Sequence, residues 1–409
     1  MARSPERLKA SRFKLNALLD VTLAINDNVS VGELTRRFEK LLTDDLSIGK
    51  VMVIKYGEKW ECLLNSGFNP DFCKKLNIEK DLLPLTEITH VTAEPQRFPE
   101  PLDIVIPIIH KDESMAFVLI GDIEEEGEGM SPIIKHQRYI QTLSNIIIVA
   151  IENKRLFRES LRQEALKREM ELASRMQNML IPKDEQLPSN GHISMSAFYH
   201  PHFDIGGDYY DVIRLDENEI GFCIADVSGK GISAAILMSN FQANLQALFT
   251  KEITMEELLE RLNKRVLSSA RGEKFITLFI ARYHYVTRKL TYVNAGHNPP
   301  ILYRAKSKET LQLTNGSVGM GMLDELPFLK VQEILMDERS KLLCFTDGLV
   351  EVLNESGVEF GTEKLEVELQ NNDSISQNIN TIIEKQGILK GSASIFDDIS
   401  ILSAEFPGK

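Results

Sequence analysis

Cysteine is scarce and scattered. The chain of 409 residues holds four, Cys62, Cys73, Cys223 and Cys344, and none stands at metal-ligand spacing. That distribution points away from a disulfide framework. Cys223 and Cys344 sit inside apolar runs and read as core thiols. No cluster of cysteine or histidine offers the softer donor set that zinc prefers. Long hydrophobic runs are missing too: the longest, 102–109 and 115–120, have the length of buried strands, not of membrane spans. The first residues are polar and charged with no apolar signal region after them, so the expected location is the cytoplasm. A basic excess is absent. The net charge of −13 opposes general nucleic-acid binding, which needs a basic surface.

What is present is an ordinary globular composition, 43% hydrophobic and 26% charged, in a chain long enough for two or three domains. Three parts are expected: 1–155, 156–182 and 183–409. In the first, Leu15, Leu18, Leu19, Leu23 and Ile25 outline one helical face, and Leu34, Phe38, Leu41 and Leu42 another. Strands are predicted at 51–56, 60–65, 104–109 and 116–122. A last helix is predicted from Ser131, with Pro132 in its first turn. Helices beside an antiparallel sheet describe an α+β sensor-type domain.

The second part, about 151–180, contains neither glycine nor proline, and Pro182 ends it. Glu164–Arg168 and Glu171–Arg175 have the helix-supporting spacing in the favourable order. One apolar stripe comprises Leu166, Met170, Ala173 and Leu180, interrupted by Gln177. A second comprises Phe157, Leu161, Ala165, Leu172, Met176 and Met179. Such stripes suit a parallel coiled coil joining two protomers, or a monomeric helix packed on its own domain.

The third part is strand-rich. Strands are predicted at 192–199, 220–227, 275–283, 290–294, 301–303, 342–345 and 399–402, and helices at 233–249, 255–268, 363–370 and 376–386. Partial segregation of the two favours a β-sandwich covered by helices over a doubly wound sheet.

Four segments of this part share a design. Gly206-Gly207-Asp208, Ala225-Asp226-Val227-Ser228-Gly229, Thr346-Asp347-Gly348 and Phe396-Asp397-Asp398 each place an aspartate at a strand end beside a turn residue. One such aspartate alone is ordinarily a turn or a helix cap. Four at the edges of one domain suggest an all-oxygen site for Mg²⁺ or Mn²⁺. Two ions sharing a carboxylate could clamp a phosphoryl group and activate water for in-line attack.

In these settings and this order, Asp208, Asp226, Asp347 and Asp397 resemble the acidic motifs of the protein phosphatase 2C superfamily, in the wording of its bacterial SpoIIE/RsbU-type branch. Met176-Gln177-Asn178-Met179-Leu180-Ile181-Pro182, Asn294-Ala295-Gly296-His297-Asn298-Pro299-Pro300 and Phe345-Thr346-Asp347-Gly348-Leu349-Val350-Glu351 strengthen the likeness, which covers about 170–405. The resemblance implies an α-β-β-α sandwich and a metal-dependent serine/threonine protein phosphatase with two Mn²⁺ or Mg²⁺ ions. Asp226 would bridge them. Asp347 and Asp397 would complete one site, and Asp208 and the Val227 carbonyl the other. Asp226 and Asp208 are then the catalytic carboxylates, acting through water on the ions. Asp397 is preferred to Asp398, which fits a place where relatives often carry asparagine.

Two departures stand out. Ser228 replaces the histidine that many eukaryotic relatives carry two residues after the bridging acid, and Pro201-His202 replaces Pro-Ala. His200 or His202 could approach phosphate or be plain loop residues. Lys230 could attract phosphate or be a solvated turn residue. His297 reads as structural support. The strand pair at 51–67 and the ending Ala150-Ile151-Glu152-Asn153-Lys154-Arg155-Leu156-Phe157 resemble GAF domains, small-molecule or redox sensors. The expected substrate is a phosphoserine or phosphothreonine protein, by analogy an anti-anti-sigma-type regulator. The expected partners are an effector at the sensor and a second copy of the chain. The alternatives are a silent phosphoprotein-binding module, from which a ligand acid would ordinarily be missing, and a metal-dependent nucleotide phosphodiesterase.

Overall fold

The computed structural model describes residues 5–91, 97–110, 113–123, 132–202, 205–314, 316–353, 359–390 and 395–409. Ser131, the predicted start of the long helix, lies outside them. The chain divides into two compact units, Met1–Glu164 and Ala165–Lys409.

The first unit contains helices α1 (Pro5–Asn26), α2 (Val31–Lys40), α3 (Phe72–Lys75), α4 (Ile78–Asp81) and the first part of α5 (Pro132–Asn178). Its five strands are β1 (Ile48–Tyr56), β2 (Trp60–Ser66), β3 (Thr89–His90), β4 (Ile104–His110) and β5 (Glu113–Ile123), in the order β2-β1-β5-β4-β3. The run Val51–Ile54 is buried throughout because both sheet faces are covered. Val51 and Val53 join Leu34, Phe38, Ile140 and Ile147 on one face; Met52 and Ile54 join Phe68, Phe72 and Phe117 on the other. Alternation of side chains across a strand makes this division. Ser30 caps α2 by accepting the Glu33 N–H at 3.1 Å. The Lys55 ammonium is buried 2.6 Å from Glu152, which ties β1 to α5. The predicted face of α1 is only partly buried. Leu18 and Ile25 pack against the core, whereas Leu15, Leu19 and Leu23 are exposed, and Val21 and Ala24 are buried.

The second unit has two five-stranded antiparallel sheets. Its strands are β6 (Ser194–His200), β7 (Tyr209–Arg214), β8 (Glu219–Val227), β9 (Ile276–His284), β10 (Lys289–Ala295), β11 (Ile301–Arg304), β12 (Glu309–Gln312), β13 (Gln332–Leu335), β14 (Ser340–Phe345) and β15 (Ile399–Phe406). The orders are β13-β10-β9-β8-β7 and β12-β11-β14-β15-β6. Helices α6 (Ile232–Leu248) and α7 (Met255–Ala270) cover the first sheet. After α8 (Asp347–Val350), helices α9 (Thr362–Leu369) and α10 (Ile375–Gln386) cover the second. Residue parity separates the layers. Leu342, Cys344, Leu402 and Ala404 point into the core between the sheets, and Leu343, Phe345, Ile399 and Ile401 into the core under α9 and α10. The result is an α-β-β-α sandwich, as the resemblance implied, and Cys223 and Cys344 are buried thiols within it.

Candidate active site

The antiparallel ladders bring four chain segments to one end of the sandwich. β7 begins there just after Asp208, and β8 ends there at Asp226 and Val227, with Asp226 paired to Thr277. In the second sheet β14 ends there before Asp347, and β15 begins there after Asp397 and Asp398.

Asp208 lies deepest. Its carboxylate is buried and accepts the Thr346 hydroxyl at 2.8 Å. The two glycines before it are closely approached: a Cβ at Gly206 would clash with Asp398 Oδ2 at 2.2 Å, and one at Gly207 would sit tightly, 3.0 Å from the Val227 carbonyl oxygen. Gln177, in the last turn of α5, holds this loop from the other side, donating to the Gly206 carbonyl at 2.6 Å and accepting its N–H at 3.2 Å. The polar interruption of the predicted stripe is thus a clamp on the Asp208 loop.

Asp226, Val227, Ser228, Lys230, Asp347 and Asp397 line a cleft of about 380 Å³, with Asp398 and Thr277 on its wall. Asp347 occupies the first position of α8, where its own N–H and that of Gly348 favour the carboxylate. The two consecutive aspartates diverge. Asp397 Oδ2 meets the Lys230 ammonium at 2.8 Å at the mouth of the cleft. Asp398 turns to the loop, accepting the His202 N–H on Oδ1 and the Gly207 N–H on Oδ2, both at 2.8 Å. Among the described residues no three carboxylate, histidine or cysteine side chains stand together as a ready-made metal-binding group. A larger open cavity of about 460 Å³, at the far end of β7 beside Arg214 and Tyr285, holds a single carboxylate, Glu217. The chemistry favours the smaller cleft.

The carboxylates raise one another's pKa. Burial and then Asp226 and Asp398 hold the Asp208 carboxyl well above its ordinary range. Asp226 is pushed up to about 7, first by burial and then by Asp347 and Asp397. Asp347 is raised by burial and by Asp397. Such a cluster is poised to take up protons or cations.

His297 is buried; its Nδ1 lies 2.8 Å from the Thr277 hydroxyl, and burial lowers its pKa to about 4. His200 stacks on Phe198, and neither it nor His202 belongs to the cleft lining. Ser228 Oγ accepts the Phe275 N–H at 2.9 Å. Sequence reasoning passed over Thr277 and Lys274, which belong to no motif, and gave Thr346, though it lies within one, no role of its own; Lys274 donates to the Ser228 carbonyl at 2.7 Å.

This architecture defines the class: the second unit has the fold of the protein phosphatase 2C-type domains. The SiaA-PP2C domain of Pseudomonas aeruginosa superposes with a TM-score of 0.50 at 20% identity, over 61% of this chain and 99% of that one. The sequence makes the assignment narrower. Residues 216–407 match the stage II sporulation protein E (SpoIIE) family. The phosphoserine phosphatase RsbU of Bacillus subtilis (strain 168) is 29% identical over 195 residues, 48% of this chain and 57% of that protein. The phosphoserine phosphatase RsbP of the same organism is 28% identical over 193 residues, 45% of this chain and 46% of that protein. The matched region thus spans about half the length of these relatives. Among the described residues no helix is long and apolar enough to cross a membrane.

Proposed function

We propose that the second unit hydrolyses phosphoserine or phosphothreonine on a protein, with divalent cations held by Asp208, Asp226, Asp347, Asp397 and the Val227 carbonyl. One observation carries the reading: the strand-end carboxylates Asp226, Asp347 and Asp397 line one cleft, with Asp208 buried beside Asp226, and burial and mutual repulsion push Asp226 up to about 7. The donors are all oxygen, which suits Mg²⁺ or Mn²⁺ and not zinc. Bound there, such ions would neutralise the phosphoryl oxygens and supply an activated water at neutral pH.

The chain's own residues prepare the site. Thr346 orients Asp208 through its hydroxyl. Asp398 and Gln177 fix the loop that presents Asp208. Lys230 places a positive charge at the mouth, where an anionic substrate enters. The name shared by RsbU and RsbP, phosphoserine phosphatase, supports the reaction class. An anti-anti-sigma-type regulator as substrate rests on the family resemblance alone.

The first unit is read as a GAF-like sensor, and the whole chain as a homodimer through α5. The exposed residues Phe157, Leu161, Leu172, Met176 and Met179 form the stripe expected of a helix that meets a second copy. Repacking of that helix would regulate turnover, which requires an effector with different affinities for two states. Catalysis is tested by Mn²⁺-dependent hydrolysis of p-nitrophenyl phosphate and a phosphothreonine peptide. Wild type should turn over both, and Asp226→Asn neither. Activity that survives both chelation and the substitution would reject the metal-dependent mechanism.

A further inference from the structure

Lys230 sits between Gly229 and Gly231, both in the left-handed region at φ +77° and +81°, on the loop that joins β8 to α6. Its ammonium is 2.8 Å from Asp397 Oδ2 and also donates to the Phe396 carbonyl. The other oxygen of Asp397, Oδ1, accepts the Asp398 N–H at 2.9 Å. Both oxygens of this carboxylate are therefore engaged, one of them by a cation that the chain itself supplies. Asp347 and Asp398 add their fields at the same ammonium. The second lysine of the region, Lys274, is used differently: it bonds the Ser228 carbonyl.

An ammonium and a divalent ion compete for the same hard oxygen lone pairs. Lys230 has a four-carbon stem and is partly exposed, so it can leave Asp397 without disturbing the fold. Asp208 is held by a neutral hydroxyl, and no such displacement is needed there.

Resting on the reading that Asp397 is a cation ligand, we propose that Lys230 is a built-in competitor for divalent metal on the Asp347–Asp397 side of the cleft. Cation uptake then has two grades. The Asp208–Asp226 side fills first. The Asp347–Asp397 side fills only as the lysine is displaced, which sets the concentration at which the full complement is reached.

The test is calorimetric titration of the full chain with Mn²⁺ alone, in wild type, Lys230→Met, Lys230→Gln and Lys274→Met, with folding verified by circular dichroism. Both Lys230 variants should tighten the weakest binding step by at least about tenfold, the scale on which a contacting charge acts. Lys274→Met removes the same charge from the same region without freeing a carboxylate, and should change that step by less than about threefold, as a screened field would. Thermal unfolding should agree, with a larger Mn²⁺-induced rise in Tm for the Lys230 variants than for wild type. Mn²⁺ binding that the Lys230 variants leave unchanged, or that Lys274→Met tightens equally, overturns this inference alone. Absence of Mn²⁺ binding in every protein, wild type included, overturns the metal reading and this inference with it.

Discussion

Asp398 holds the N–H of Gly207 at 2.8 Å across 191 positions of sequence, while Asp397 beside it meets the Lys230 ammonium at 2.8 Å. The pair separates two tasks that the sequence places side by side. Asp398→Ala would leave two backbone donors, His202 and Gly207, without their acceptor, one of them buried. The expected loss of stability is roughly 2–4 kcal/mol, read by denaturant unfolding. Asp397→Ala removes a half-exposed pair and should cost less than about 1 kcal/mol. It should nevertheless lower Mn²⁺-dependent turnover by about two orders of magnitude or more, since even outer-shell changes reach that scale. The opposite pattern would exchange the roles of the two residues.

Asp226 makes the cation-free protein sensitive to pH. Its carboxyl titrates at about 7 in the folded chain, against about 3.9 in an unfolded one. Between those values the folded state binds more protons than the unfolded state, so stability falls as pH rises. The contribution is fully present below about pH 4 and is lost as pH passes about 7. In chelator, the Tm of Asp226→Asn minus that of wild type should therefore grow from pH 4 to pH 8, and saturating Mn²⁺ should abolish the trend by favouring the ionised carboxylate. A difference that does not vary with pH would show that the acidic cluster carries no such strain.

Much of the site could be read from residue order, because a strand-end aspartate beside glycine is a local signal. Strand ends gather wherever antiparallel ladders align, so four such signals become one place once the sandwich forms. The strands around Ile220, Leu342 and Ile399 were legible as short, largely buried runs rich in apolar residues. The short edge strands β12 and β13 were not, since half-exposed runs of four residues have no distinct pattern. Nor was β7, in which Tyr209 and Asp211 are both buried and close a hydrogen bond on each other. Thr346-Asp347-Gly348 read as a turn or a helix cap, and it opens α8, where the residues after it form a helical turn that buries Leu349. The division of labour between Asp397 and Asp398 depends on contacts nearly two hundred residues away.

His297 should not appear in the pH profile of the reaction. Its ring is buried against Thr277, and burial lowers its pKa to about 4. Nitrogen chemical shifts of the imidazole should report a neutral ring throughout pH 5.5–8. His297→Gln should cost roughly 1–3 kcal/mol of stability by disturbing the bond to Thr277, while the pH limbs of kcat/KM stay in place. A limb that moves with this substitution would make the residue an acid or base of the reaction.

The stripe on α5 faces solvent. Leu172 and Met176 are 60% and 63% exposed, and Leu161 is half exposed, at spacings of a coiled-coil seam. Leaving such a row in water forfeits about 1.5–3 kcal/mol per fully buried side chain, and a second copy of the same helix would cover it. Light scattering should find the full chain at twice its monomer mass. Leu161→Glu combined with Leu172→Glu places two charges in each half of that seam, and should weaken association by about three orders of magnitude or more. The helical signal of the folded monomer should be retained, because both positions already face solvent there. If turnover also changes in the monomer, the helix transmits as well as joins. If the double variant keeps the wild-type mass, the row is covered by something other than a second copy.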